Sequence, residues 1–121
     1  PIEVLGTGAK GEEKMRRYVK HLLEEIRHGG AGAFASSFPE FPLETLYFGG
    51  GTPSLTPTKH FEEIFEALRS RFGLLKEAEI TAEMDPGTFS AAKAHDLVAL
   101  GVNRVSLGVQ SLDPELLKRC G

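Results

Sequence analysis

The stretch "NRVSLGVQ", Asn103 to Gln110, sorts its side chains into two rows: Val105, Leu107 and Val109 on one side, Arg104, Ser106, Gly108 and Gln110 on the other. "EITAEMDPG", Glu79 to Gly87, does the same, with Ile80, Ala82 and Met84 opposite Thr81 and Glu83. Helices cover both faces of an open parallel sheet, so its strands read as continuous apolar runs. A strand whose second row is polar or glycine fits the inside of a β/α barrel instead, where that row lines a cavity or a partly filled lumen.

Outward from these strands the pattern alternates strand and helix. Three strands are expected at Thr45 to Phe48, Glu79 to Met84 and Arg104 to Val109, each followed by a helix after a short turn. Met15, Tyr18, Val19, Leu22 and Ile26 recur at helical spacing within "EEKMRRYVKHLLEEIRH". Thr56 as cap and Pro57 at the first helical position open a second helix carrying Phe61, Ile64, Phe65 and Leu68, which stops at Gly73. A third runs from near Ser90 to Gly101 with Leu97, Val98 and small alanines for close packing, and Asp113 with Pro114 starts a fourth. The Gly-, Ser- and Pro-rich "GGAGAFASSFPEFP" reads as a surface connection whose phenylalanines fold back on the body. Strand and helix repeating at roughly 30 residues means parallel strands joined by crossovers. The fold class is α/β, a doubly wound sheet or a β/α barrel, and the polar rows favour a partial parallel (β/α) barrel.

Parallel strands bring their carboxyl ends to one rim, where β/α folds bind ligands. Gly49, Gly50 and Gly51 follow the first strand, Glu83 ends the second and Gln110 ends the third. The glycines clear side-chain volume so that a ligand can touch the main chain, Thr52 adds a hydroxyl, and Pro53 stiffens the exit. Plainer roles stand beside these: a tight turn for the glycines, an ion pair for Glu83, a backbone bond for Gln110. A phosphate cradle is disfavoured, because the pattern lacks the lysine of a P-loop and is not GxGxxG. Asp85, before Pro86, reads as a turn residue.

Composition narrows the function classes. The 121 residues amount to about one domain, and 14 basic against 17 acidic residues give a net charge of −3 with no basic cluster, which disfavours nucleic acid. No apolar stretch approaches the roughly 20 residues of a membrane span. The four histidines, His21, His28, His60 and His95, share no ligand spacing, so no metal site is expected from them. One cysteine, Cys120, excludes an internal disulfide and a cysteine-built iron–sulfur site within these residues, and no histidine is placed to make it a nucleophile. Reducing surroundings fit, and the compartment stays open between cytoplasm, plastid and mitochondrion. Pro1 and the helix-like "DPELLKRC" before Gly121 suggest a chain cut at both ends.

Taken together, "LYFGGGTPS", "ITAEMDPGT" and "VNRVSLGVQS" resemble the radical S-adenosylmethionine family that contains oxygen-independent coproporphyrinogen III oxidase and its haem-chaperone relatives of the HemW type. The likeness runs from the first helix to Gly121, weakest over Gly29 to Pro42. It implies a TIM-barrel-like core in which a CxxxCxxC loop after the first strand binds a 4Fe–4S cluster whose open iron position holds S-adenosylmethionine. That loop is absent here, and its ligands are expected upstream of Pro1. By resemblance Gly50, Gly51 and Thr52 receive the methionine amino group, Glu83 contacts the nucleoside or methionine portion, and Gln110 completes the site. "PGTF" and "GVQS" resemble the haem-chaperone branch, which would bind haem and deliver it to acceptor proteins. The decarboxylating branch, converting two propionates of coproporphyrinogen III to vinyl groups, stays open, as does a β/α domain for an unrelated nucleotide. The implied unit is the middle part of a core domain, residues 1–121, inactive alone for want of the cluster and poorly soluble because strand edges and helix faces lack neighbours.

Overall fold

A computed structural model describes residues 8–28 and 42–120. The connection expected at 29–41 lies outside the described residues. The order is α1 (Ala9–His28), β1 (Leu43–Phe48), a single 3-10 turn (Pro53–Leu55), α2 (Thr58–Phe72), β2 (Leu74–Met84), α3 (Ala91–Leu100), β3 (Arg104–Leu107) and α4 (Pro114–Cys120). The three strands are parallel and adjacent in chain order, β1-β2-β3, as in a barrel wall.

The alternation governs what is buried. Ala78, Ile80, Ala82 and Met84 of β2 form one row of the core, against Phe61 and Phe65 of α2 and Leu97 of α3, with Val102 beside them. Both helices therefore cover the same face. Phe48 of β1 lies 5.0 Å from the Phe61 ring and 5.1 Å from that of Phe65, tilted in each case, so the aromatics interlock without stacking flat. The opposite face carries Tyr47, Glu79, Glu83, Arg104 and Ser106, with Thr81 buried in the middle of the central strand. There Arg104 and Glu79 pair at 2.9 Å. Val105 and Leu107 align with Ala82 and Met84 but stay about half exposed, at 51% and 49%.

Turn chemistry fixes the ends. Gly73 stops α2 at φ 72°. Gly101, at φ 116°, closes α3 in a Schellman arrangement: its N–H bonds the Val98 carbonyl and the Val102 N–H bonds that of Leu97. Ser90 caps α3 through the Lys93 N–H at 3.2 Å, and Asp113 caps α4 through the Glu115 N–H at 2.8 Å. Asn103 splices β3 onto β2, its side-chain amide bonding the Ile80 N–H at 2.9 Å and the Ala78 carbonyl at 2.8 Å.

Four expectations are corrected. Helix α2 begins at Thr58 with Pro57 in the cap position, since the 3-10 turn takes the Thr56 N–H onto the Pro53 carbonyl and leaves Thr56 extended. Strand β2 starts at Leu74, not Glu79, where the Leu43 pairing jumps register and hides the extension from any period-two reading. Tyr18 and Val98 are exposed, because α1 buries a narrow line through Val19 and α3 one through Leu97, and both residues fall off its edge. Strand β3 ends at Leu107, so Val109 and Gln110 lie beyond it.

Candidate functional site

The carboxyl ends of the strands do form one rim. Across it, the Glu83 carboxylate accepts from the Tyr47 hydroxyl at 2.6 Å through one oxygen and from the Gly50 N–H at 2.9 Å through the other. The Tyr47 hydroxyl, and then the Gly50 N–H, hold the Glu83 carboxyl below the usual range, with desolvation opposing them. The same bond, helped by burial, raises the Tyr47 phenol above its ordinary value, while Ser106 and Arg104 pull it down.

The three glycines serve different needs. A Cβ at Gly49 would come within 2.5 Å of the Tyr47 ring and 3.2 Å of the Glu83 carboxyl carbon, so this residue is bare because its neighbours fold over it. Gly50 and Gly51 face open space but turn with φ of 86° and 63°, a backbone that L side chains rarely adopt.

The next turn is locked to the first. Asp85, Pro86, Gly87 and Thr88 form a β-turn with the proline second, glycine third at φ 82°, and the Thr88 N–H on the Asp85 carbonyl at 3.1 Å. Thr52 donates its hydroxyl to the Asp85 carboxylate at 3.2 Å, Ser54 receives the Asp85 N–H at 3.2 Å, and the Ser54 and Thr88 hydroxyls bond each other. Lys93, at the start of α3, donates to the carbonyls of Ser54 and Thr56, and burial lowers its pKa. These contacts bind the glycine loop, the Asp85 turn and α3 into one body.

After β3 the chain turns sharply. The Gly108 N–H bonds the Met84 carbonyl at 3.0 Å, and Val109 and Ser111 donate to the carbonyls two residues back, making two successive γ-turns. Gln110 thereby sits at φ 61°, the one non-glycine residue with positive φ among those described, at a cost of about 1–2 kcal/mol. A Cβ at Gly108 would lie 2.5 Å from the Asp85 carboxylate and 3.2 Å from the Gln110 amide.

Between these turns opens a pocket of about 260 Å³, lined by Gly51, Glu83, Asp85, Ser106, Gly108 and Gln110 among others. Of the residues singled out by sequence, Gly51, Glu83 and Gln110 line it together, Gly50 is committed to Glu83, and Thr52 reaches it through Asp85. Tyr47 and Asp85 are the residues that sequence reasoning missed. Tyr47 was legible as the polar-row partner of Glu83 on the neighbouring strand, whereas the "DPG" turn signal masked the second role of Asp85. None of the described residues lining the pocket is basic, so they offer phosphate no counter-charge, while two carboxylates suit a cationic or hydroxyl-rich ligand. A hollow of about 390 Å³ elsewhere is lined, among the described residues, by Ala9, Lys10, Glu13, Lys14 and Arg17 of α1.

Consecutive parallel strands, a polar face and a glycine-turned rim are the frame of a β/α barrel, and the chain belongs to the Radical SAM superfamily, whose profile matches residues 17–121. Within it, the chain is 40% identical over 112 residues to the heme chaperone HemW of Escherichia coli (strain K12), covering 93% of this chain and 28% of that protein. It is 35% identical over 114 residues to the oxygen-independent coproporphyrinogen III oxidase of Paracoccus denitrificans (strain Pd 1222), covering 94% and 24%. The solved structure of coproporphyrinogen III oxidase (HemN) from Escherichia coli, a radical SAM enzyme, matches with a TM-score of 0.77 at 31% identity over 88% of this chain and 24% of that one. The three strands are thus part of the TIM-barrel-like radical SAM fold, and the chain spans about a quarter of the length of these relatives.

The family implies S-adenosylmethionine and a 4Fe–4S cluster. The pocket fits the first in charge and in its exposed main chain. The cluster does not fit these residues: the chain has one cysteine, and no group of three histidine, cysteine, aspartate or glutamate side chains among the described residues could hold a metal ion. No helix among the described residues is long and apolar enough to cross a membrane.

Proposed function

We propose that this chain is the S-adenosylmethionine-binding middle portion of a radical SAM core domain, in a protein of the haem-chaperone type that binds haem and delivers it to acceptor proteins. The observation that carries the reading is the meeting of Glu83, Gly51 and Gln110 on one polar pocket at the strand ends. S-adenosylmethionine has an ammonium group and ribose hydroxyls that donate to carboxylates, and a carboxylate that accepts from an amide. Glu83 and Asp85 supply the acceptors, Gln110 supplies both kinds of group, and the bare main chain at Gly51 lets the ligand approach. On one-electron reduction, bound S-adenosylmethionine would supply a 5′-deoxyadenosyl radical and release methionine, the electron coming from outside these residues. These residues contribute binding and orientation only.

The haem-chaperone branch is supported by the "PGTF" and "GVQS" segments. A second reading, decarboxylation of coproporphyrinogen III, is favoured by the likeness to HemN. The full-length protein, given coproporphyrinogen III, reductant and S-adenosylmethionine without oxygen, is expected to form no vinyl product, and, given haem, to bind it stoichiometrically. Vinyl products would overturn the chaperone assignment. Replacing Glu83 with Gln is expected to weaken S-adenosylmethionine binding about tenfold or more in either case.

A further inference from the structure

The Tyr47 ring is more than half exposed, at 56%, on the polar face of β1, yet it is not free. It lies across the bare Gly49 to bring its hydroxyl 2.6 Å from Glu83, and no other side chain bonds that carboxylate among the described residues. With the Gly50 N–H on its second oxygen, the carboxylate is held at both ends, and each oxygen keeps a lone pair for a further donor. An unheld carboxylate at an open pocket mouth would lose rotamer freedom each time a ligand bound.

We infer that Tyr47 is a positioning residue: its phenol orients the Glu83 carboxylate toward the pocket, so that Glu83 takes the ammonium or ribose hydroxyl of the ligand in a preset geometry. The inference rests on the proposed contact between Glu83 and S-adenosylmethionine. Gly49 belongs to the same device, because any side chain there would drive the ring off its bond. The raised phenol and the lowered carboxyl are what a neutral donor on an ionised acceptor produces. The charged groups facing this pair are Arg104 of β3, neutralised by Glu79 of β2 at 2.9 Å, and Asp85 at the end of β2, bonded to Thr52. Arg104 and the Ser106 hydroxyl also act on the Tyr47 phenol, so the part that passes through Glu83 is the part lost when Glu83 is replaced.

A double-mutant cycle in the full-length protein tests this. S-adenosylmethionine affinity is measured by calorimetry for the wild type, Tyr47→Phe, Glu83→Gln and the double variant, and phenol ionisation is followed by the absorbance difference between each Tyr form and its Phe counterpart. Tyr47→Phe, which keeps the ring, is expected to weaken binding about three- to tenfold, and to do nothing further once Glu83 is Gln. The Tyr47 phenol should ionise above pH 10.0, and at lower pH in the Glu83→Gln background. Equal affinity of Tyr47→Phe and wild type, or the same loss with and without Glu83, overturns the inference while the reading of the site stands. Wild-type affinity in Glu83→Gln overturns that reading and takes the inference with it.

Discussion

Replacing Gly108 with Ala separates the stability of the rim from its use. The backbone there does not require glycine, since its φ is not positive, so an alanine meets only neighbouring atoms. Its Cβ would lie 2.5 Å from the Asp85 carboxylate, where ordinary contact needs about 3.5 Å. The carboxylate must retreat by about 1 Å and release the Thr52 hydroxyl, whose bond is already long at 3.2 Å. That loss is about 0.5–1.5 kcal/mol, offset by about 0.4–1 kcal/mol from the reduced freedom of the unfolded chain. Net stability should therefore change by less than about 1 kcal/mol. Binding should respond far more, because the methyl enters the 260 Å³ pocket beside Gln110 and Asp85 swings away from it. A displaced charged acceptor weakens affinity about ten- to hundredfold. Thermal denaturation and calorimetric titration of the full-length protein with S-adenosylmethionine measure the two quantities. Adding Asp85→Ala should abolish whatever stability cost Gly108→Ala carries, since the clashing oxygen is gone. Unchanged ligand affinity, or a stability loss that persists without Asp85, would refute the reasoning.

Gln110→Gly relieves the left-handed backbone and should raise stability by about 0.5–1 kcal/mol while weakening S-adenosylmethionine binding, so denaturation and titration should move in opposite directions. Phe65→Ala removes a fully buried ring at the contact of α2 with the sheet and should cost about 3–5 kcal/mol in chemical denaturation. The lowered Glu83 pKa means that its contribution to stability is present above the unfolded value of 4.5 and fades as pH falls through the folded one. The raised Tyr47 pKa gives a contribution present below 10.0 and lost as pH rises through the folded value. Tyr47→Phe should flatten both edges of the stability profile.

The barrel class, three parallel strands and the shared rim were legible because each rests on local periodicity or on a Gly, Pro or cap signal. The alternation in "EITAEM" placed Ile80, Ala82 and Met84 in the core and Glu83 on the other face. It failed where main-chain geometry departs from a strand. Nothing in "LGVQS" announces two γ-turns, and a period-two reading carried straight through them to Gln110. Asp85 was hidden for a different reason: its turn role is real, and one residue type served two purposes. At Gly50, expected to help receive the methionine amino group, the N–H already donates to Glu83, a bond that only tertiary structure reveals because the two lie 33 residues apart. Tyr18 and Val98 show the limit of helical spacing, which marks an apolar stripe without saying how much of it a neighbour covers.

The rim also sets an order of assembly. Its three turns are far apart in the chain, and the last of them hangs on β3, four residues long and exposed throughout. The pocket takes Ser106, Gly108 and Gln110 from that strand and the turn after it, so it is complete only while β3 is paired with β2. A molecule gripping all three turns would act as a clasp, slowing the opening of the weakest strand in proportion to its own occupancy.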